Sequence, residues 1–165
     1  FEVPINNIRP EIFRHLLHYI YGGAIDDKDL KGIAKDIIDA TDVTGVVSLK
    51  LLAEACYIKW TTITIDNLVD NLQYANSKNL ALLKEAVMDF VSKNRVEVNE
   101  KILQSDLPEK VNSELTEQMA TNRGSYGVLR VSDLRNRLEE RGLDIDGSKE
   151  AMCATLMEND SSQVR

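Results

Sequence analysis

His15 and His18 stand three residues apart in RPEIFRHLLHYIYGG, a spacing at which two imidazoles could share a metal ion if other ligands converged on them. No HExxH or CxxC pattern accompanies them, so they are read as solvated histidines. Asp144, Asp146, Gly147 and Ser148 resemble the start of a calcium loop. Such a loop requires Gly at its sixth position and Glu at its twelfth, where this chain has Lys149 and Thr155, so a glycine-centred turn is expected instead. The chain carries no GxSxG elbow, no glycine-rich phosphate loop and no recognisable acid–base pair. The reading is that it is not an enzyme and uses no metal or cofactor.

Phosphate binding is the remaining chemistry. Arg137, Arg141 and Lys149 could form a local cationic patch, with Gly147 and Ser148 opening a helix whose first amides also favour an anion. Charge limits that reading. Between Val128 and Glu158 there are five Lys/Arg against seven Asp/Glu, whereas strong counterion-release binding takes roughly six to ten phosphate contacts. The whole chain is at −7, which disfavours non-specific attraction to nucleic acid. At most weak DNA or RNA binding is expected.

The elements that position these groups are helical. Pro10 suits a first helical turn and the Gly22-Gly23 pair suits a helix stop. Between them Ile12, Phe13, Leu16, Leu17 and Ile20 fall on one arc, opposite Glu11, Arg14, His15 and His18. Further apolar faces follow at helical spacing. The first is Leu30, Ile33, Ala34, Ile37 and Ile38, stopping near Gly45, and the second is Leu49, Leu52, Ala53 and Cys56. Thr64 is placed as the N-cap of Ile65 to Ala75, with Leu68 and Leu72 inward. Asn79 is placed as the N-cap of a helix bearing Leu80, Leu83, Val87, Phe90 and Val91. Ile102 to Met119 forms a last amphipathic stretch, interrupted at Pro108, and Phe1 to Ile5 reads as a short extended edge segment. A polar linker, 118–125, separates this part from a second module in which Leu129, Val131, Leu134, Leu138 and Leu143 mark one helix. That helix stops at Gly142, and Ala151, Met152, Leu156 and Met157 mark another.

The pattern from Val3 to Gly23, including Pro10-Glu11-Ile12-Phe13, Leu16-Leu17 and Tyr19-Ile20-Tyr21, resembles the middle of a BTB/POZ domain, and Tyr74 to Phe90 resembles the helical pair that follows the core in MATH-BTB adaptors. Leu134, Leu138, Arg141-Gly142-Leu143 and Gly147-x-Lys149 resemble a SAP motif, a helix-turn-helix hairpin associated with chromatin and nucleic acid. Arg130 stands where that motif usually has a Ser or Thr N-cap.

Together these resemblances imply a mainly α chain. Residues 1–117 would be the C-terminal half of a BTB/POZ-like module with one short edge strand, 126–160 a SAP-like hairpin and 161–165 a tail. The implied function is non-catalytic protein interaction, as an adaptor of a cullin ubiquitin ligase that contacts the cullin through Arg9, Glu11 and Ile12. The alternative is a DNA- or RNA-binding, transcription-associated factor acting through Arg137, Arg141, Gly147, Ser148 and Lys149. Since the chain starts at Phe1, it is expected to be a fragment, without the half of the BTB domain that makes its dimer. Apolar runs are too short to span a bilayer, and two distant cysteines fit a reducing compartment, the nucleus or cytoplasm.

Overall fold

The computed structural model describes residues 8–94, 96–98, 113, 126–127 and 129–163. The extended segment Phe1 to Ile5, nearly all of the stretch from Ile102 to Met119, and the linker 118–125 lie outside the described residues. Those described form a mainly α structure with no strand among them: α1 Pro10–Ile20, α2 Asp27–Leu30, α3 Ala34–Thr44, α4 Val47–Trp60, α5 Leu68–Lys78, α6 Ala81–Lys93, α7 Val131–Glu140 and α8 Lys149–Gln163. None of the described helices is long and apolar enough to cross a membrane. The chain divides into two compact units, Phe1–Thr62 and Ile63–Arg165.

In the first unit α1 begins where its chemistry demands. Arg9 is extended, Pro10 occupies the first turn, and the helix closes with the Gly23 amide on the His18 carbonyl at 2.9 Å around Gly22 at φ +85°. Ile12 and Leu16 are buried one turn apart, and α1 packs on α3. Ile20, expected on the same dry arc, is 52% exposed. The face from Leu30 to Ile38 belongs to two helices, not one. Gly32 at φ +89° breaks the chain between α2 and α3, while Leu30, Ile37 and Ile38 still reach the core. Gly45 at φ +73° ends α3, and α4 returns along it, burying Leu49, Ala53 and Cys56.

In the second unit, α5 starts at Leu68 and not at Ile65: the Thr64 amide donates to Asn67 Oδ1 at 2.9 Å, so these residues form a turn ahead of the helix. Asn79 does not open α6. It ends α5 in the left-handed region at φ +53°, which a short polar side chain tolerates, and the Leu80 amide reaches back to the Ala75 carbonyl at 2.8 Å. Leu68 and Leu72 of α5 and Leu83, Val87 and Val91 of α6 are inward. A second core joins α6 to the last two helices through Ala81, Val131, Leu134, Leu138, Met152 and Leu156. Ala151 and Met157, expected on that dry face, are exposed. α8 also runs into the segment expected to be a tail, as far as Gln163.

Candidate functional site

The geometry around α7 and α8 follows from how their ends are satisfied. A helix leaves its first amides without internal partners, and a Ser or Thr at the N-cap usually accepts from one of them. Arg130 holds that position before α7 and makes no such bond. Glu85 of α6 supplies the acceptor instead, with its Oε1 taking the Val131 amide at 3.2 Å. The same oxygen lies 3.4 Å from Lys149 Nζ at the start of α8, and Glu85 Oε2 lies 3.6 Å from Arg130, which donates to Asp89 at 2.7 Å. One carboxylate therefore meets the first amide of α7 and two cationic side chains, one of them from the start of α8.

The other ends of the pair meet elsewhere. α7 stops through Gly142 at φ +66°, with the Leu143 amide on the Leu138 carbonyl at 2.9 Å. Arg141 then donates to Asp160 Oδ1 at 2.8 Å, and the Tyr126 hydroxyl donates to the other Asp160 oxygen. That hydroxyl, more than the Arg141 charge, holds the Asp160 carboxyl below the usual aspartate range. The Tyr126 hydroxyl is also the leading cause, ahead of Asp160, that pushes the Arg141 guanidinium up. Arg137 lies 5.7 Å over the Tyr126 ring. Both helices start at Glu85 and finish at Arg141 and Asp160, so they run side by side in the same sense, and residues 143–148 carry the chain back between them. That segment is set by Asp144, which accepts the Asp146 amide at 3.0 Å, and by Gly147 at φ +116°. Ser148 caps α8 by accepting the Ala151 amide at 3.2 Å.

The structure thus brings Arg137 and Arg141 together at one end and puts Lys149 at the other. The expected three-cation patch at the hairpin end is not assembled. Lys149 is spent on Glu85 and Arg141 on Asp160, while Gly147 and Ser148 serve the turn and the cap. Glu85 was not among the residues singled out from sequence. The missing Ser/Thr cap at Arg130 was the available signal that an outside acceptor had to exist.

At α1, Arg9 and Glu11 are exposed and 3.2 Å apart, and Arg9 also pairs with Asp36 of α3. Ile12 is 2% exposed. Its side chain belongs to the core, and a partner cannot use it as a surface anchor. The exposed apolar groups of this helix lie at its far end, Ile20 at 52% and Tyr21 at 85%. His18 lies over Gly23, where a Cβ would fall 2.3 Å from the ring, and its Nε2 is 3.2 Å from the Ala24 carbonyl. His15 is half-buried in the same helix.

Residues 125–161 match the family model of the SAP domain, and no BTB family model matches. The mouse TD and POZ domain-containing protein 1-like is 29% identical over 98 residues, covering 59% of this chain and 26% of that protein. BTB/POZ and MATH domain-containing protein 4 of Arabidopsis thaliana is 25% identical over 111 residues, 59% of this chain and 23% of its own length. The leucine-zipper-like transcriptional regulator 1 homolog of Drosophila melanogaster is 29% identical over 163 residues, which takes in 96% of this chain but 15% of that protein. The chain spans about a quarter or less of the length of these curated relatives. It carries a SAP domain behind a helical region distantly related to BTB/POZ proteins.

Proposed function

We propose that this chain is a non-catalytic protein-interaction module, the adaptor part of a cullin-based ubiquitin ligase, in which the SAP helix pair is docked on α6 instead of being held open for nucleic acid. The observation that carries the reading is the Glu85 contact set. Lys149, one of the expected phosphate contacts, already faces a carboxylate of its own unit, together with Arg130 and the first amide of α7. The relatives named for POZ, BTB and MATH domains support the adaptor class. The cullin-facing surface is drawn from the exposed groups of α1, Arg9 and Glu11 at its start and Tyr21 at its end, because an interface anchor has to be accessible and aromatic anchors dominate such contacts.

Pull-down with the N-terminal domain of a cullin tests this. Tyr21→Ala and Glu11→Arg should each reduce capture at least about tenfold, as loss of a hot-spot contact does, and Lys149→Glu should leave it unchanged. Capture indifferent to both α1 variants, or none by the unaltered chain, would refute the adaptor reading.

A second reading is a nuclear DNA- or RNA-binding factor acting through the SAP domain, favoured by the match over residues 125–161 and by the fly relative named as a transcriptional regulator. In that case Arg137 and Arg141, the expected cations outside the Glu85 set, make the contacts, and Arg141→Glu is the variant that loses binding. The two readings place the protein in the cytoplasm and the nucleus respectively.

A further inference from the structure

Arg137 and Arg141 lie about one helical turn apart at the end of α7, and both are exposed, so their guanidinium groups are spaced to flank a single anion. An anion of the chain itself sits there. Asp160 of α8 accepts from Arg141 at 2.8 Å through one oxygen, and its other oxygen takes the Tyr126 hydroxyl, while Arg137 lies 5.7 Å over the Tyr126 ring. A carboxylate engaged in this way offers the arginine what a phosphodiester offers, two acceptor oxygens sharing a negative charge. Helix stability does not select an acid at this position. Asp160 belongs to the last turn of α8, where the macrodipole disfavours an anion and no basic residue of that turn compensates. The contact also lies at the surface. The Asp160 and Arg141 side chains are 42% and 31% exposed, so their ion pair is weak and separates without opening the core around Leu134, Leu138 and Leu156.

We infer that Asp160 is an internal competitor: held in place by Tyr126, it occupies the arginine pair, and a ligand phosphate binds Arg141 and Arg137 by displacing it. That the displacing phosphate belongs to a DNA backbone rests on the nucleic-acid reading; that Asp160 excludes an anion does not. The clasp differs in kind from the Glu85 joint. Glu85 and Lys149 are 15% and 19% exposed and tie α8 to α6, whereas release of Asp160 frees a surface pair and leaves the helices where they are.

The test titrates the full chain with pyrophosphate, following the side-chain Nε–Hε resonances of Arg137 and Arg141, and with a dye-labelled DNA duplex at low salt, followed by anisotropy. Asp160→Asn removes the charge and keeps an acceptor for Tyr126, and should tighten pyrophosphate binding about fivefold. Tyr126→Phe changes no charge and loosens the clasp, and should tighten it about twofold. Glu158→Gln removes the same charge from an exposed site on α8 and should leave the affinity unchanged. Adding Arg141→Gln to Asp160→Asn should abolish the gain. Circular dichroism and thermal melts confirm that each variant is folded. Equal pyrophosphate affinity in the unaltered chain and Asp160→Asn would overturn the inference, as would a gain matched by Glu158→Gln, a gain that survives Arg141→Gln, or no gain in Tyr126→Phe. Pyrophosphate binding in the expected order with no DNA binding by any variant would uphold the clasp and refute the nucleic-acid reading.

Discussion

Replacing Glu85 removes the joint on which the SAP helix pair is set, and the structure fixes how large the effect should be. The Val131 amide donates to a charged acceptor, a class worth about 1.5–3 kcal/mol. Lys149 and Glu85 have side chains only 19% and 15% exposed, so their pair is better shielded than a surface ion pair, and loss of the carboxylate leaves the lysine poorly solvated. Arg130 is exposed and keeps Asp89, and adds little. Glu85→Ala should therefore cost about 2–3 kcal/mol. Glu85→Gln keeps an acceptor for the amide and loses only the charge, and should cost about 1 kcal/mol. A double-mutant cycle of Glu85→Gln with Lys149→Met, read by urea unfolding, should give a coupling of about 0.5–1.5 kcal/mol, with faster exchange of the Val131 amide in Glu85→Ala. Coupling within about 0.3 kcal/mol of zero together with unchanged Val131 exchange would refute the docking.

Ile12→Asp places a charge at a 2% exposed position and should destabilise the first unit by at least about 3 kcal/mol, so a thermal melt separates loss of fold from loss of partner. Asn79→Val forces a β-branched residue to φ +53° and should cost about 1–2 kcal/mol in urea unfolding, whereas Asn79→Gly should be neutral or better. Asp160 is held below the ordinary aspartate range, chiefly by the Tyr126 hydroxyl. Its contribution to stability is complete above the unfolded aspartate value and is lost as the pH falls through the lower folded one. In Tyr126→Phe the Asp160 carboxyl resonance should titrate closer to the ordinary value, and an unmoved titration would assign the shift to Arg141 instead.

Much of the first unit was legible because its punctuation is local. Pro10, Gly22 and Gly45 act within one helical turn, and the burial of Ile12, Leu16 and Leu49 follows from period alone. Where the reading slipped, two local options competed. Thr64 and Asn67 both offer side-chain oxygens before α5, and Asn79 can open a helix or end one. Only the tertiary fit makes Asn67 the acceptor and puts Asn79 in the left-handed region. Ile20 is apolar at the right spacing yet exposed, since periodicity gives the direction of a side chain and not the length of the surface it meets. Glu85 illustrates a deeper limit. It is 46 residues from Val131 and 64 from Lys149 in sequence, so no window reading joins them. Their meeting takes one expected phosphate contact, Lys149, into an internal joint.

The most direct test of that joint is a titration of duplex DNA into the full chain across a series of salt concentrations, beside the Glu85→Gln and Arg141→Glu variants. Internally engaged cations predict at most two phosphates' worth of salt slope for the unaltered chain, and a steeper slope with tighter binding once Glu85→Gln releases Lys149. A slope of about three phosphates or more in the unaltered chain, left unchanged by Glu85→Gln and abolished by Arg141→Glu, would contradict the docked arrangement and establish the SAP helices as an open nucleic-acid surface.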